Sequence, residues 1–190
     1  MAAARLGLQH RYERIKKKSE IGSRPKFKLD LWKVNQSYWK EFKEHYYLDL
    51  PMPPAAEYFI GTINGELVCH LAACPMFTAN AYRATRLVVM PEWQGAGVGI
   101  RFLNEILQMH LEGKGRCGKE FGTFFHTTHP QLCSALRNQP KCIYTKSMLF
   151  GANKLTSIKS ILKTGNGEIT GSGYGGHFRA VQGFKYIGNE

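Results

Sequence analysis

Apolar and polar residues alternate with two different periods along this chain, and the changes of period mark out its elements. Val98, Phe102, Leu103, Ile106, Leu107 and Leu111 recur near a 3.6-residue period, with Arg101, Asn104, Glu105 and Gln108 between them. The pattern predicts a helix over residues 100–111 with one packed face and one wet face. Residues 58–63 and 66–72 read as two strands joined by Asn64-Gly65, a dipeptide suited to the positive-φ turn of a hairpin. Residues 82–90 and 121–127 read as further strands, the second after a glycine-rich link at 113–118. Residues 130–138 read as a short helix opened by Pro130, and 177–187 as a final strand or hairpin arm. Trp32, Tyr38, Trp39, Phe42 and Tyr46 stand at helix-compatible spacing within 31–50 and read as packing residues, up to the stop at Pro51-Met52-Pro53-Pro54. Residues 165–176 are a glycine-rich loop, read as a long connection between edge strands or as a substrate lid. Strand, helix and strand in succession imply a parallel pair, and so α/β construction.

The join between strand 82–90 and its helix carries chemistry. The apolar run Leu87-Val88-Val89-Met90 leads through Pro91-Glu92-Trp93 into Gln94-Gly95-Ala96-Gly97-Val98-Gly99. A strand feeding glycines and then a helix leaves a row of unpaired N–H groups at the helix start, where a pyrophosphate can be held. Gly95 and Gly97 admit positive φ and a close ligand, while Gly99 permits tight packing at the helix entry. A phosphate-bearing cofactor is expected. There is no Gly-x-Gly-x-x-Gly in dinucleotide register followed by an acid after a second strand, and no Gly-Lys-Ser/Thr ending. Dinucleotide and nucleoside-triphosphate loops are thereby set aside.

Charge widens the picture. Twenty-six Lys and Arg stand against 14 acids in 190 residues, a net +12, which favours a polyanionic partner such as nucleic acid. The competing reading is a basic soluble protein, since charge alone names no partner. Much of the excess lies in residues 1–30, a basic arm that includes Arg11, Arg14, Lys16, Lys17, Lys18, Arg24, Lys26 and Lys28, ahead of a single domain at 31–190. Five cysteines without a Cys-x-x-Cys pair indicate reduced thiols in a cytoplasmic compartment. The first thirty residues lack the apolar core of a secretory signal, and no apolar run reaches membrane-spanning length.

The stretch from Arg86 to Arg101 resembles the acyl-CoA-binding motif of the GNAT acyltransferases, Gln/Arg-x-x-Gly-x-Gly/Ala, with Gln94, Gly97 and Gly99 in its defining positions. The resemblance implies a mixed central sheet flanked by helices, and acetyl-CoA or another acyl-CoA as donor. It implies that Leu87, Val88 and Val89 hold the pantetheine through main-chain atoms. Gln94, Gly95, Ala96, Gly97, Val98 and Gly99 would hold the pyrophosphate, with Arg101 adding positive charge. A looser likeness over residues 38–190 rests on His45-Tyr46-Tyr47-Leu48, His129-Pro130 with Ser134, and Phe184-Lys185-Tyr186-Ile187-Gly188. It resembles a phage and mobile-element branch related to the Mom DNA-modification proteins, implying DNA as partner, an adenine-type acceptor and an ATPase companion.

Acyl transfer to an amine needs a neutral amine, a stabilised oxyanion and a proton for the departing thiolate. Tyr144 follows the predicted fifth strand and short helix, where GNAT enzymes carry an acidic Tyr. A tyrosine packed against a carbonyl is the other reading. His129, at the carboxyl end of a parallel strand, is preferred to His126 as base. Ser134 either positions substrate or faces solvent on its helix. No metal site is expected, because the adjacent side chains of His45, Tyr46 and Tyr47 diverge on a helix. An inactive GNAT-fold module that binds DNA or an ATPase is the rival outside enzyme chemistry.

Overall fold

The computed structural model describes residues 27–47, 52–53, 55–150 and 179–188, with the backbone alone at 149, 150 and 179. Most of the basic arm and the whole of the 165–176 loop lie outside these residues. Among the described residues seven strands form one sheet in the order β1-β2-β3-β4-β5-β7-β6. The strands are β1 (Asp30–Val34), β2 (Glu57–Ile63), β3 (Glu66–Met76), β4 (Ala81–Val89), β5 (Thr123–Thr127), β6 (Cys142–Phe150) and β7 (Arg179–Tyr186). Every neighbouring pair is antiparallel except β4 and β5. The β2–β3 hairpin turns at Asn64 and Gly65, with φ of 51° and 84°, as that dipeptide predicts.

Helix α1 (Val98–Leu111) crosses the back of the sheet between the parallel strands, and α2 (Pro130–Arg137) follows β5 on the same side. The 3.6-residue stripe of α1 is the stripe that is buried: Phe102, Leu103, Ile106 and Leu107 pack on Phe59, Leu71, Ala84, Phe125 and Phe184. A smaller cluster of Trp39, Phe42, Ile60 and Val88 covers the front of β2 to β4. Fold and sequence differ over residues 31–50, where the spacing suggests one helix. Residues 30–34 instead pair with β2 as an edge strand, and two 3₁₀ turns follow at Gln36–Glu41 and Lys43–His45. Asn35 accepts the Ser37 N–H at 3.0 Å and caps the first turn, and backbone pairing with β2 outweighs the helical spacing. Strand β6 has no counterpart in the sequence pattern, and β7 inserts between β5 and β6.

One end of the parallel pair is locked by buried polar groups. Glu57, 3 % exposed, accepts from Lys33 Nζ and from the Arg116 N–H at 2.9 Å, and lies 3.5 Å from His110 Nε2. His110 Nδ1 is 3.3 Å from Thr123 Oγ1, and the Tyr82 ring stacks on His110 at 4.0 Å. The Tyr82 hydroxyl accepts the Cys117 N–H at 2.8 Å. The beginnings of β2, β4 and β5, the end of α1 and the loop after it are therefore tied together at one point.

Candidate functional site

The opposite end of the parallel pair is open. β4 and β5 share three rungs, Tyr82 with Thr123, Arg83 with Phe124 and Ala84 with Phe125, and no further pairing. Beyond them β4 carries a bulge: Ala72 pairs with Thr85 and His70 with Val88, so β4 spends one residue more than β3 between those rungs. Arg86 absorbs the excess at φ 56°, in the left-handed region that a non-glycine residue seldom occupies. A bulge bends and twists its strand, and β4 parts from β5 here. The His70 Nδ1 lies 3.1 Å from Arg86 O, and the Arg86 guanidinium lies over the Tyr46 ring at 5.3 Å, so the bend is held from the front. Trp39 and Phe42 enclose His70, and burial brings its pKa down to about 4, which keeps the imidazole neutral.

Past the bend, Val88 and Val89 pair with β3 and the Met90 N–H bonds to Val68 O at 2.9 Å. Strand alternation then turns the main-chain polar groups of Leu87 and Val89 away from β3, toward the gap. Gln94 Nε2 donates to Val89 O at 2.9 Å and braces the loop against the strand end. Gly95 and Gly97 have φ of 81° and 82°, the conformation for which glycine is suited. Gly97 is the N-cap of α1 and offers no side chain, and the first bond into the helix is from Arg101 N to Gly97 O. The N–H groups of Val98, Gly99 and Ile100 therefore stand at the positive end of the helix dipole ahead of that bond. A Cβ on Gly99 would lie 2.7 Å from Val89 Cγ2, so this glycine lets α1 close on β4. Ala96 packs against the main core. Arg101 sits one turn in, its guanidinium 3.4 Å from Phe27 O and 5.8 Å from that ring's centre. Beside the loop a cavity of about 550 Å³ is lined by His45, Glu66, Leu67, Met90, Glu92 and Trp93.

The remaining sequence-derived residues do not converge. His129 is the N-cap of α2, where its Nδ1 accepts the Leu132 N–H at 3.4 Å, and it is exposed. Ser134 is exposed on α2. Tyr144 lies on β6, with β7 between it and β5. Its ring meets Phe184 of the back core, the Arg137 guanidinium lies over it at 4.6 Å, and its hydroxyl donates to Ser147 Oγ at 2.8 Å. His45 pairs with Glu44, while Tyr46 packs between Trp39 and the ring of Tyr47 at 5.0 Å, and Tyr47 is 63 % exposed, so His45 does not share a polar cluster with the two tyrosines. The gap is instead flanked by His126, the first residue of β5 past its last rung with β4. Its Nδ1 is buried and meets no hydrogen-bond partner among the described residues. Burial foremost, then the charges of Arg83 and Lys146, hold its pKa below the usual histidine value. The sequence assigns no role to Arg83, and Arg86 enters it only as the first residue of the motif stretch. A period-2 count of β4 against β5 puts Arg83 and His126 on one face, but only known pairing makes that count useful.

No family model matches the chain, and no curated protein matches it. Solved structures do. The ribosomal-protein-S18-alanine N-acetyltransferase of Escherichia coli superposes with a TM-score of 0.54 at 11% identity, covering 86% of this chain and 96% of its own. A GNAT family acetyltransferase from Elizabethkingia anophelis, solved with acetyl-CoA bound, gives 0.51 at 10% identity over 83% and 97%. A spermidine N-acetyltransferase chimera from Vibrio cholerae gives 0.55 at 10% identity over 84% and 95%. The likeness is one of architecture, and with its mixed seven-stranded sheet, parted parallel pair and glycine loop this chain has the fold of the GNAT acetyltransferases.

Proposed function

We propose that this protein is an acyl-CoA-dependent N-acyltransferase. The observation that carries the reading is a parted β4–β5 pair leading, through two left-handed glycines, into an α-helix with an uncapped N-terminus. A bound acyl-CoA supplies a thioester carbonyl open to attack by an amine. The N–H groups of Val98, Gly99 and Ile100 hold its pyrophosphate, helped by the helix dipole and by the room beside Gly95, where a Cβ meets nothing within 4 Å. Leu87 and Val89 offer main-chain hydrogen bonds to the pantetheine amides, as one strand does to another. Val88 faces the front cluster and fixes the register of that edge. Gln94 and Ala96 keep the loop in shape, and Arg101 adds positive charge.

The acceptor must shed a proton before it attacks, and a neutral imidazole suits the task. In this reading His126 takes the proton, because it flanks the gap and is held neutral. His129 is the alternative base. The amine nitrogen then bonds to the carbonyl carbon, the C–S bond breaks, and the thiolate leaves with a proton. The sequence supports Tyr144 as its source and Ser134 as a substrate contact.

The favoured acceptor is a nucleic-acid base or a nucleic-acid-associated amine, supported by the +12 charge. A Mom-like adenine modification with another donor is its variant. Mass spectrometry of nucleosides from DNA of expressing cells tells the two apart. The separation of Tyr144 from the gap favours one second reading, a GNAT-fold module that binds CoA without turnover. Saturating CoA is expected to raise the thermal midpoint, since a ligand at a hundred times its Kd adds about 2.7 kcal/mol. Gly97→Glu removes the effect by setting bulk and negative charge where the pyrophosphate belongs. Absence of any shift in the parent protein defeats the cofactor assignment, whereas a shift without acyl transfer to any amine selects the binding module.

A further inference from the structure

The front of the sheet beyond β4 is one-sided in charge. Strands β4 to β7 contain Arg83, Arg86, Lys146, Arg179 and Lys185 and no Asp or Glu, and α2 contains no acid either. Register groups three of the relevant side chains. Arg83 is the rung partner of Phe124, His126 lies two residues on from Phe124, and Gly183 pairs with both His126 and Lys146. Residues related in this way share a face, and His126 and Arg83 flank the parted end of β4 and β5. Gly183 leaves a notch between its neighbours: a Cβ there would stand 2.7 Å from Thr145 Oγ1 and 3.2 Å from His126 Nε2. Thr145 is the extra residue of a β6 bulge, between the rungs of Tyr144 and Lys146, and the bulge delivers its hydroxyl to the notch. Three strand spacings and a two-residue offset along the strands separate the backbones of Arg83 and Lys146 by about 16 Å, a span that two long basic side chains bridge with an anion between them.

We infer that Arg83, Thr145 and Lys146, around the Gly183 notch beside His126, bind an oxyanion, phosphate or carboxylate, carried by the acceptor amine. The inference rests on the transferase reading and narrows its acceptor. Two cations without a compensating carboxylate among the described residues attract an oxyanion and repel a second ammonium, so a polyamine is a poor acceptor here. Guanidinium and ammonium groups make charge-assisted bonds to such oxygens, and Thr145 adds a neutral donor.

Two measurements test it. In the first, acetyl transfer from acetyl-CoA is followed to matched primary amines ending in a phosphate, a carboxylate, a hydroxyl or a second ammonium. The anionic pair are expected to exceed the hydroxyl amine at least tenfold in kcat/KM, with the diamine last; phosphate against carboxylate identifies the source of the oxyanion. Arg83→Gln and Lys146→Ala each reduce the advantage about tenfold, mainly through KM, and leave the thermal shift by CoA intact. The second measurement needs no turnover: carbethoxylation of His126 by diethyl pyrocarbonate is followed by mass spectrometry with and without inorganic phosphate or glutarate. Protection in the parent protein and its loss in both variants support the subsite, even where CoA fails to bind and the transferase reading falls. CoA binding together with unprotected His126, or a diamine preferred over the anionic amines, overturns the subsite and leaves the transferase reading standing.

Discussion

Glu57 illustrates how one residue's surroundings decide its behaviour. Burial alone would raise its pKa, but the contacts with His110, Lys33 and the Arg116 N–H together outweigh burial and bring it down to about 2, from 4.5. A carboxyl group depressed in the folded state stabilises above its unfolded value and loses that contribution as pH falls from about 4.5 toward about 2. Glu57→Gln is expected to cost on the order of 3 kcal/mol at pH 7, measured by urea unfolding, because Lys33 and His110 lose their partner. The gap between parent and variant should close as pH is lowered through that window; a constant gap would refute the electrostatic account. His126 is shifted in the same direction by the opposite logic, because its charged form is the disfavoured one. The acidic limb of the pH–rate profile is expected below the ordinary histidine value of about 6.5. Arg83→Gln moves that limb upward and His126→Ala removes it. Loss of the limb in His129→Ala instead would transfer the role to the cap of α2.

At the scale of elements, α1 and β4 depend on each other. The apolar stripe of α1 was legible because a helix with one buried face must repeat near 3.6 residues, and Phe102, Leu103, Ile106 and Leu107 are all buried. Two glycines at its entry serve different needs and predict different costs. Gly99→Val forces a side chain into Val89, where even a Cβ meets Cγ2 at 2.7 Å, and should cost about 1–3 kcal/mol while weakening CoA binding. Gly95→Ala has open space but keeps φ near 81°, and should cost about 1 kcal/mol from backbone strain alone. Equal losses in the two, compared by denaturant midpoints and CoA titration, would contradict this division. Residues 30–47 were not legible as elements. A five-residue strand and two 3₁₀ turns are too short to show a period, and Trp32, 55 % exposed on β1, carries no burial signal.

Across the whole molecule, about half of the +12 charge lies in the basic arm and the rest is spread over the domain. Nucleic-acid binding, if the acceptor reading holds, should weaken steeply with added salt through counterion release, and removal of residues 1–26 should flatten the slope. A salt-independent affinity, measured by fluorescence anisotropy, would separate the charge from the acceptor. What the sequence determined by itself is local: the hairpin at Asn64-Gly65, the α1 stripe and the glycine loop, with the parallel sense of β4 and β5 following from the strand-helix-strand connection. Turn geometry, helical period and left-handed backbone each act between residues close in the chain. Tertiary structure alone decided the rest. Insertion of β7 between β5 and β6 separates Tyr144 from the gap, and the bulge at Arg86 opens the gap itself. Register brings Arg83, His126, Thr145 and Lys146 to one face. These depend on pairing between strands tens of residues apart, and pairing of that kind is set by how the whole sheet buries its apolar faces rather than by any local pattern.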